Sequence, residues 1–182
     1  IFPSVINSKA RLTYTAVYDF LSGKTDGFNS VLGLNEMLKN ASDLADILSS
    51  KRESRGSIDL DVKEAKITVK NNRVEVSHNQ RNKAHKLIEE FMIVANETVA
   101  EYAYYLDIPF LYRIHEKPTE EKISLLMEFL KGLGRPQKWH SDNVYPKDFQ
   151  TLLNKLKGQD DPTFPLINRV MLRSMQKAKY SD

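Results

Sequence analysis

Apolar positions recur at helical spacing over much of the chain, which predicts six helices. The first opens near Thr13 and stops at Gly23, and the second ends near Glu53. The fourth carries Thr119 near its start, as an N-cap residue should be placed. The six predicted helices cover residues 13–22, 30–53, 80–106, 119–133, 146–156 and 164–180.

Strand-like alternation separates the second and third helices. Ile58, Leu60 and Val62 alternate with charged residues, and the Asn71-Asn72 pair predicts a hairpin turn into a second strand. Further short strands are predicted over residues 1–6 and 109–115. The elements do not follow the βαβ order of a doubly wound sheet. We therefore predict a helix-rich α+β fold with a small antiparallel sheet packed on helices.

The middle of the third helix is apolar on every side, from Phe91 to Ala95. A helix of that kind is normally buried all round, so we expect this segment to lie in the core. Glu89 and Glu90 directly precede the apolar run, and Asn96 follows it. Because residues four or seven apart share a helical face, His85, Glu89, Met92 and Asn96 form one stripe. Glu90 begins a second stripe, with Val94, Glu97 and Glu101.

Composition narrows the class of protein only moderately. The chain has 182 residues, of which 41% are hydrophobic and 28% charged, with a formal net charge of +3. This indicates one domain, or at most two small ones, with a real core. The absence of cysteine excludes disulfides, zinc-thiolate sites and cysteine nucleophiles, and it favours an intracellular protein. No apolar run is long enough to span a bilayer, and no signal peptide is visible.

Two pairs of carboxylates are candidates for chemistry. Glu89 and Glu90 either lie on a solvated helix edge or face a cleft, where one of them would bind a metal or a ribose hydroxyl. Spacing alone favours the solvated edge. Asp59 and Asp61 share one face of a strand, as half of a divalent-metal site would. Ordinary strand alternation explains this pair better, so we do not expect it to bind metal.

Cationic and hydroxyl groups form a second set of candidates. Arg113 beside His115 could clamp phosphate oxygens, although a lone histidine is more often structural. Arg169, Arg173 and Lys177 follow one another at four-residue spacing in the last predicted helix. Such a basic stripe is typical of a solvated face, and one lining an RNA channel would look the same.

The start of the first helix carries a further pair. Arg11 and Tyr14 flank it, and a phenol near a helix N-terminus can donate a hydrogen bond to a phosphate held there. Tyr14 can equally be a half-buried packing residue. No glycine-rich phosphate loop or other established catalytic motif is present.

Five segments of the sequence together resemble one family. They are SKARLTYTAVYDFL, SIDLDVKEAKI, RNKAHKLIEEFMIVANETVAEY, FLYRIHEKP and MLRSMQKAKYS. In this order they are similar to the RNB catalytic domain of the ribonuclease R and ribonuclease II exoribonucleases, and most similar to the bacterial ribonuclease R group. The resemblance extends over nearly the whole chain.

The resemblance implies a processive 3′→5′ exoribonuclease that threads single-stranded RNA into a channel and releases 5′-nucleoside monophosphates with the help of Mg²⁺. Tyr14 occupies the place of the family's active-site tyrosine. The resemblance places the family's active-site glutamate at Glu89 or Glu90. The resemblance implies a cytoplasmic enzyme with RNA as its partner, and neither a membrane nor a protein partner. Further residues match recurrent motif positions and are candidates for RNA binding, together with Arg169 of the basic stripe: Arg11, Asn96, Arg113, His115 and Arg173.

The chain also departs from the family pattern. The aromatic residue that clamps a terminal base falls near Leu60, and an aliphatic side chain stacks more weakly. The family's metal-binding aspartates belong before Ile1, and its arginine-containing SPIRRY-type segment belongs after Asp182. Residues 1–182 are therefore expected to form the central part of one RNB domain that is inactive alone. The alternatives are a non-catalytic RNA-binding or scaffolding relative, and a folded core without a function of its own.

Overall fold

The computed structural model describes residues 2–28, 31–58, 65–70, 73–78, 81–159 and 161–182. They form six helices and four strands: α1 (Tyr14–Leu21), α2 (Leu34–Ser54), β1 (Ala65–Lys70), β2 (Arg73–His78), α3 (Lys83–Tyr105), β3 (Tyr112–Ile114), α4 (Glu120–Gly132), α5 (Pro146–Lys157), α6 (Phe164–Ser174) and β4 (Lys179–Ser181). The strands form two separate antiparallel pairs, β1–β2 and β3–β4. The helix-rich α+β prediction is confirmed. The chain divides into two compact units, Ile1–Lys51 with Lys63–Thr98, and Arg52–Val62 with Val99–Asp182.

The core of the first unit forms around α1. The Thr13 side chain caps this helix by accepting a hydrogen bond from the backbone N–H of Ala16 at 3.2 Å. Gly23, at a φ of +72°, lets the chain turn away after the helix. Val17 and Phe20 of α1 lie in a buried apolar cluster. Three residues from α2 and α3 complete this cluster: Leu34, Leu38 and Ala84.

The strands β1 and β2 pair in antiparallel register, with Lys70 opposite Arg73. Ile67 lies opposite Val76, and Val69 lies opposite Val74, so four apolar side chains share one face of the pair. The predicted turn at Asn71-Asn72 lies outside the described residues, as do the predicted strand residues 59–64.

The second unit has the larger apolar core. It is formed by α4, α5 and α6, and Thr119 caps α4 by accepting a hydrogen bond from the backbone N–H of Lys122. The best-buried side chains come from all three helices: Ile123, Leu126, Leu130, Phe149, Leu156, Ile167 and Met171. The edge of Trp139 packs on Phe149, with ring centroids 5.5 Å apart. None of the described helices is long and apolar enough to cross a membrane.

Three predicted boundaries are wrong. Residues 2–6 form no strand, and the strand predicted over 109–115 is confined to Tyr112–Ile114. The last helix ends at Ser174 because Met175 adopts extended backbone angles, with ψ at 154°. Beyond it, Lys179–Ser181 pairs with β3, so the sheet contact replaces the predicted continuation of the helix.

The expectation that α3 is buried all round is also wrong. Met92, in the middle of the apolar run, is 58% exposed, and Ala95 and Asn96 are exposed as well. The best-buried positions in the first half of the helix are Ala84, Leu87 and Glu90. Their three-residue spacing defines a single buried line along the helix. Glu90 therefore lies on this buried line, and Glu89 lies off it.

Candidate active site

The N-terminus of α3 is closed by two side chains that cap each other's backbone. Asn82 Oδ1 accepts a hydrogen bond from the His85 backbone N–H at 3.2 Å. In return, His85 Nδ1 lies 3.4 Å from the Asn82 backbone nitrogen and 2.7 Å from Asn82 Oδ1. This is the reciprocal arrangement of a capping box, with histidine at the third helical position. It fixes the imidazole beside the helix start.

The imidazole of His85 carries the ring of Tyr14 on its face. The two ring centroids are 4.0 Å apart and the ring planes are inclined by 15°. Tyr14 is the first residue of α1 and is 47% exposed. The stack therefore joins the starts of α1 and α3 and leaves about half of the tyrosine side chain open to a ligand.

Glu89 lies one turn after His85 on the same stripe of α3. At 100° per residue, it is rotated from His85 by only about 40°. Arg81, just before the helix, donates from Nε to Oε1 and Oε2 of Glu89 at 3.0 and 2.7 Å, and its Nη2 also pairs with Oε2. The Glu89 side chain is 40% exposed, so this ion pair orients the carboxylate at a solvent-accessible position.

Glu90 has a different environment. It is rotated from His85 by about 140°, on the buried line of α3. The residue is only 5% exposed. Of the two glutamates that the sequence left as alternatives, Glu89 lies on the stripe of the Tyr14 stack and Glu90 does not.

The stripe continues towards the C-terminal half of α3. Met92 and Asn96 follow Glu89 at helical spacing, and both are exposed, as the stripe prediction requires of a shared face. Arg11 is exposed two positions before the Thr13 cap. These placements put an aromatic ring, a carboxylate and an amide in line on one accessible surface of the first unit.

The other predicted RNA-binding residues belong to the second unit. Arg113 lies in β3, and His115 follows the strand; both are exposed. Arg169 and Arg173 are exposed on α6 one turn apart. Lys177 lies beyond the end of α6, so the prediction of a three-residue helical stripe is wrong. The stripe on α6 consists of the two arginines alone.

The described residues do not by themselves fit a magnesium site. Mg²⁺ demands near-octahedral oxygen coordination and is usually held by carboxylates. Among the residues the structure describes, no three His, Asp or Glu side chains converge to hold a metal ion. Both oxygens of Glu89 already accept hydrogen bonds from Arg81. Asp59 and Asp61, for which we expected no metal, and Leu60, near the family's clamp position, lie outside the described residues.

Two site features were not foreseen from sequence. The sequence did not indicate Arg81 as a site residue, because an arginine eight residues before a glutamate is common and forms no recognised motif. The stack of Tyr14 on His85 joins residues that are far apart in the chain, so no local pattern announces it. The Asn82-x-x-His85 spacing resembles a capping box and, together with the α3 stripe that contains His85, is a local signal for this residue.

Comparison with known proteins places these features in a family. The model of the RNB domain matches residues 1–182. Ribonuclease R of Thermotoga maritima is 39% identical over 184 residues, covering 100% of this chain and 25% of the relative. Ribonuclease R of Escherichia coli is 36% identical over 181 residues, covering 98% and 22%.

Solved structures agree with the sequence matches. Mycoplasma genitalium RNase R in complex with ribose methylated single-stranded RNA superposes with a TM-score of 0.84 at 32% identity, covering 92% of this chain and 26% of that one. The chain thus spans about a quarter of the length of these relatives. The match over residues 1–182 confirms the predicted resemblance, and the chain belongs to the RNB family.

Proposed function

We propose that this chain supplies the central part of the catalytic domain of a processive, magnesium-dependent 3′→5′ exoribonuclease, which hydrolyses single-stranded RNA to 5′-nucleoside monophosphates. Family membership over residues 1–182 supports the class of activity. The observation that carries the assignment of the site is the stack of Tyr14 on His85, one turn from Glu89 on the same face of α3. The proposal places the enzyme in the cytoplasm, in keeping with a chain that has no cysteine.

The roles of the two central residues follow from their chemistry. The Tyr14 hydroxyl, on a ring held flat against His85, donates a hydrogen bond to a phosphate oxygen of the last nucleotide. The Glu89 carboxylate, held by Arg81, accepts a hydrogen bond from a ribose hydroxyl or from the attacking water. We assign the active-site role to Glu89 and a structural role to Glu90, because Glu89 is solvent-accessible on the stripe of His85, whereas Glu90 is buried.

Binding of the RNA strand is assigned to groups of both units. Asn96 continues the Glu89 stripe, and Arg11 adds a positive charge near the start of α1. In the second unit, the exposed guanidinium groups of Arg113, Arg169 and Arg173 neutralise phosphates, and His115 can hydrogen-bond to one. Each such contact is independent of base sequence, as a processive nuclease requires.

The catalytic magnesium is assigned to carboxylates other than the described ones, since those do not converge on a common point. Bound Mg²⁺ would supply charge neutralisation at the scissile phosphate and activation of water. The 182-residue chain is accordingly expected to have little nuclease activity alone.

Degradation of 3′-labelled poly(A) in the presence of Mg²⁺ tests the proposal. The protein encoded by the complete reading frame that contains this chain should release labelled 5′-AMP from the first turnover, and EDTA should abolish the release. The 182-residue chain alone should leave the substrate intact. Failure of the complete protein to degrade the RNA, with RNA binding retained, would favour the alternative of a non-catalytic RNA-binding or scaffolding protein. Robust degradation by the chain alone would refute the assignment of the metal ligands.

A further inference from the structure

The two faces of the β3–β4 pair differ in chemistry. The strands are antiparallel, with Arg113 opposite Tyr180 and Ile114 opposite Lys179. Directly opposed residues project from the same face of an antiparallel pair, and their neighbours project from the other. One face therefore carries Arg113 with Tyr180, and the other carries Ile114 with Lys179.

The Ile114–Lys179 face is satisfied by contacts within the unit. Lys179 forms an ion pair with Glu116, which neutralises its charge. The ring of Tyr112, on the same face as Ile114, meets the ring of Phe110 edge to face at a centroid distance of 5.3 Å. The groups on this face are thus already partnered by residues of the protein.

The Arg113–Tyr180 face has no such contacts with the residues that the structure describes. Arg113 is exposed, and Tyr180 is 66% exposed. Within the described part of the chain, neither side chain forms a hydrogen bond, an ion pair or a ring contact. Opposed side chains in such a pair have Cβ atoms about 5 Å apart, so one ligand can contact both. An unneutralised guanidinium next to an open phenol ring is left available to a partner.

The chemistry of the pair fits a single nucleotide unit. A guanidinium binds a phosphate through paired N–H donors, and an aromatic ring stacks on a base. Only an unpaired nucleotide offers an open base face next to its phosphate, so the pair selects a single strand over a duplex. The positive charge of Arg113 is complementary to the negative charge of the RNA backbone.

We propose that Arg113 and Tyr180 form a nucleotide subsite for single-stranded RNA, in which Tyr180 stacks on a base and Arg113 holds the neighbouring phosphate. This inference rests on the proposed function and adds Tyr180, to which no role was assigned above. The subsite discriminates against strands that lack bases, which simple charge attraction does not do.

Fluorescence anisotropy with two labelled probes tests the inference: an oligoadenylate, and an abasic ribose-phosphate strand of equal length. Tyr180→Ala should weaken binding of the oligoadenylate about tenfold and leave the affinity for the abasic strand unchanged. Tyr180→Phe should bind both probes as the unmodified chain does. Arg113→Gln should weaken binding of both and lower the slope of log K against log salt by about 0.7.

The matched control is Lys179→Gln, which removes a cation from the same strand pair on its partnered face. It should change neither the affinity nor the salt slope. Equal losses for Arg113→Gln and Lys179→Gln, or equal losses for Tyr180→Ala on both probes, would overturn the subsite. If the unmodified chain binds oligoadenylate and Tyr180→Ala has no effect, the subsite fails while the proposed function stands. If the chain binds neither probe, the RNA-binding part of the proposed function fails as well.

Discussion

The ring of Tyr14 lies on the imidazole of His85, with centroids 4.0 Å apart and planes inclined by 15°. His85 is in turn locked to Asn82 at the start of α3. The orientation of a proposed active-site phenol thus depends on the cap of a neighbouring helix. Substitutions at His85 can separate the two contributions, because the cap needs a hydrogen-bonding group and the stack needs a ring.

His85→Gln keeps the capping box, since glutamine is a preferred residue at this capping position, but it removes the ring. His85→Phe keeps a ring against Tyr14 and loses the cap. We expect the glutamine variant to bind a 3′-hydroxyl oligoadenylate about fivefold more weakly, because Tyr14 is no longer held against a ring, and to lose about 1 kcal/mol of stability with the missing ring contact. The phenylalanine variant should melt lower and bind normally. If the glutamine variant binds the oligoadenylate normally in anisotropy while the phenylalanine variant melts lower and binds more weakly, His85 acts only as a cap.

The Arg81–Glu89 ion pair is predicted to serve orientation rather than stability. Both side chains are partly exposed, at 33% and 40%, so solvent screens their attraction. Arg81→Gln should lower the free energy of unfolding by no more than about 1 kcal/mol. The difference should shrink further at high salt. Urea denaturation at two salt concentrations measures it, and a loss of several kcal/mol that persists in salt would contradict this interpretation.

The stability of the second unit is predicted to depend on the buried face of α4. Leu130 is 0% exposed, whereas Leu125 on the same helix is 59% exposed. Leu130→Ala should cost about 2–5 kcal/mol of unfolding free energy, through lost burial and the cavity that remains. Leu125→Ala is the matched control and should change it by less than about 0.5 kcal/mol. Similar losses for the two variants would mean that the α4 faces are assigned wrongly.

Asp161 is predicted to make stability fall in acid. Its Oδ1 accepts hydrogen bonds from the Thr163 hydroxyl at 2.6 Å and from the Thr163 backbone N–H at 2.8 Å, and Arg135 pairs with its Oδ2. These contacts, with the Thr163 hydroxyl first, hold the pKa of the Asp161 carboxyl below its ordinary value of 3.8.

A lowered pKa means that the ionised carboxylate stabilises the fold. This contribution is complete above the ordinary pKa of 3.8 and disappears as the pH falls through the lower folded value. Asp161→Asn lacks the stabilising contribution of the ionised carboxylate, so the variant should be less stable than the unmodified chain at neutral pH. The stabilities of the two proteins should converge in acid. Chemical denaturation from pH 7 downwards measures the difference. A gap that stays constant over the whole range would refute the assignment.

The sequence was sufficient for elements whose signals are local. Thr13 and Thr119 cap the helices that they were expected to open, and the register of the β1–β2 hairpin follows its alternating apolar residues. These signals work because caps and alternation act between residues close in the chain. The same holds for the stripe on α3 that contains Glu89 and Asn96.

Features decided by distant contacts could not be predicted. The last helix stops at Ser174 because the following segment pairs with β3, and a local helical pattern does not register such competition. The apolar run around Met92 is partly exposed. This exposure could not be predicted, because periodicity does not tell which neighbours cover a helix face. The proposed preference for Glu89 over Glu90 depends on the positions of Tyr14 and Arg81, which only the folded structure provides.

The most direct test of the central claim, that Tyr14 and Glu89 form the catalytic surface, is the single-turnover rate of poly(A) hydrolysis by the complete protein with Glu89→Gln. We expect a loss of at least about a hundredfold with an unchanged melting temperature. Glu101→Gln, at an exposed position later in α3, should hydrolyse the RNA at the unmodified rate. A Glu89→Gln protein that degrades poly(A) as fast as this control would show that Glu89 is not part of the catalytic surface.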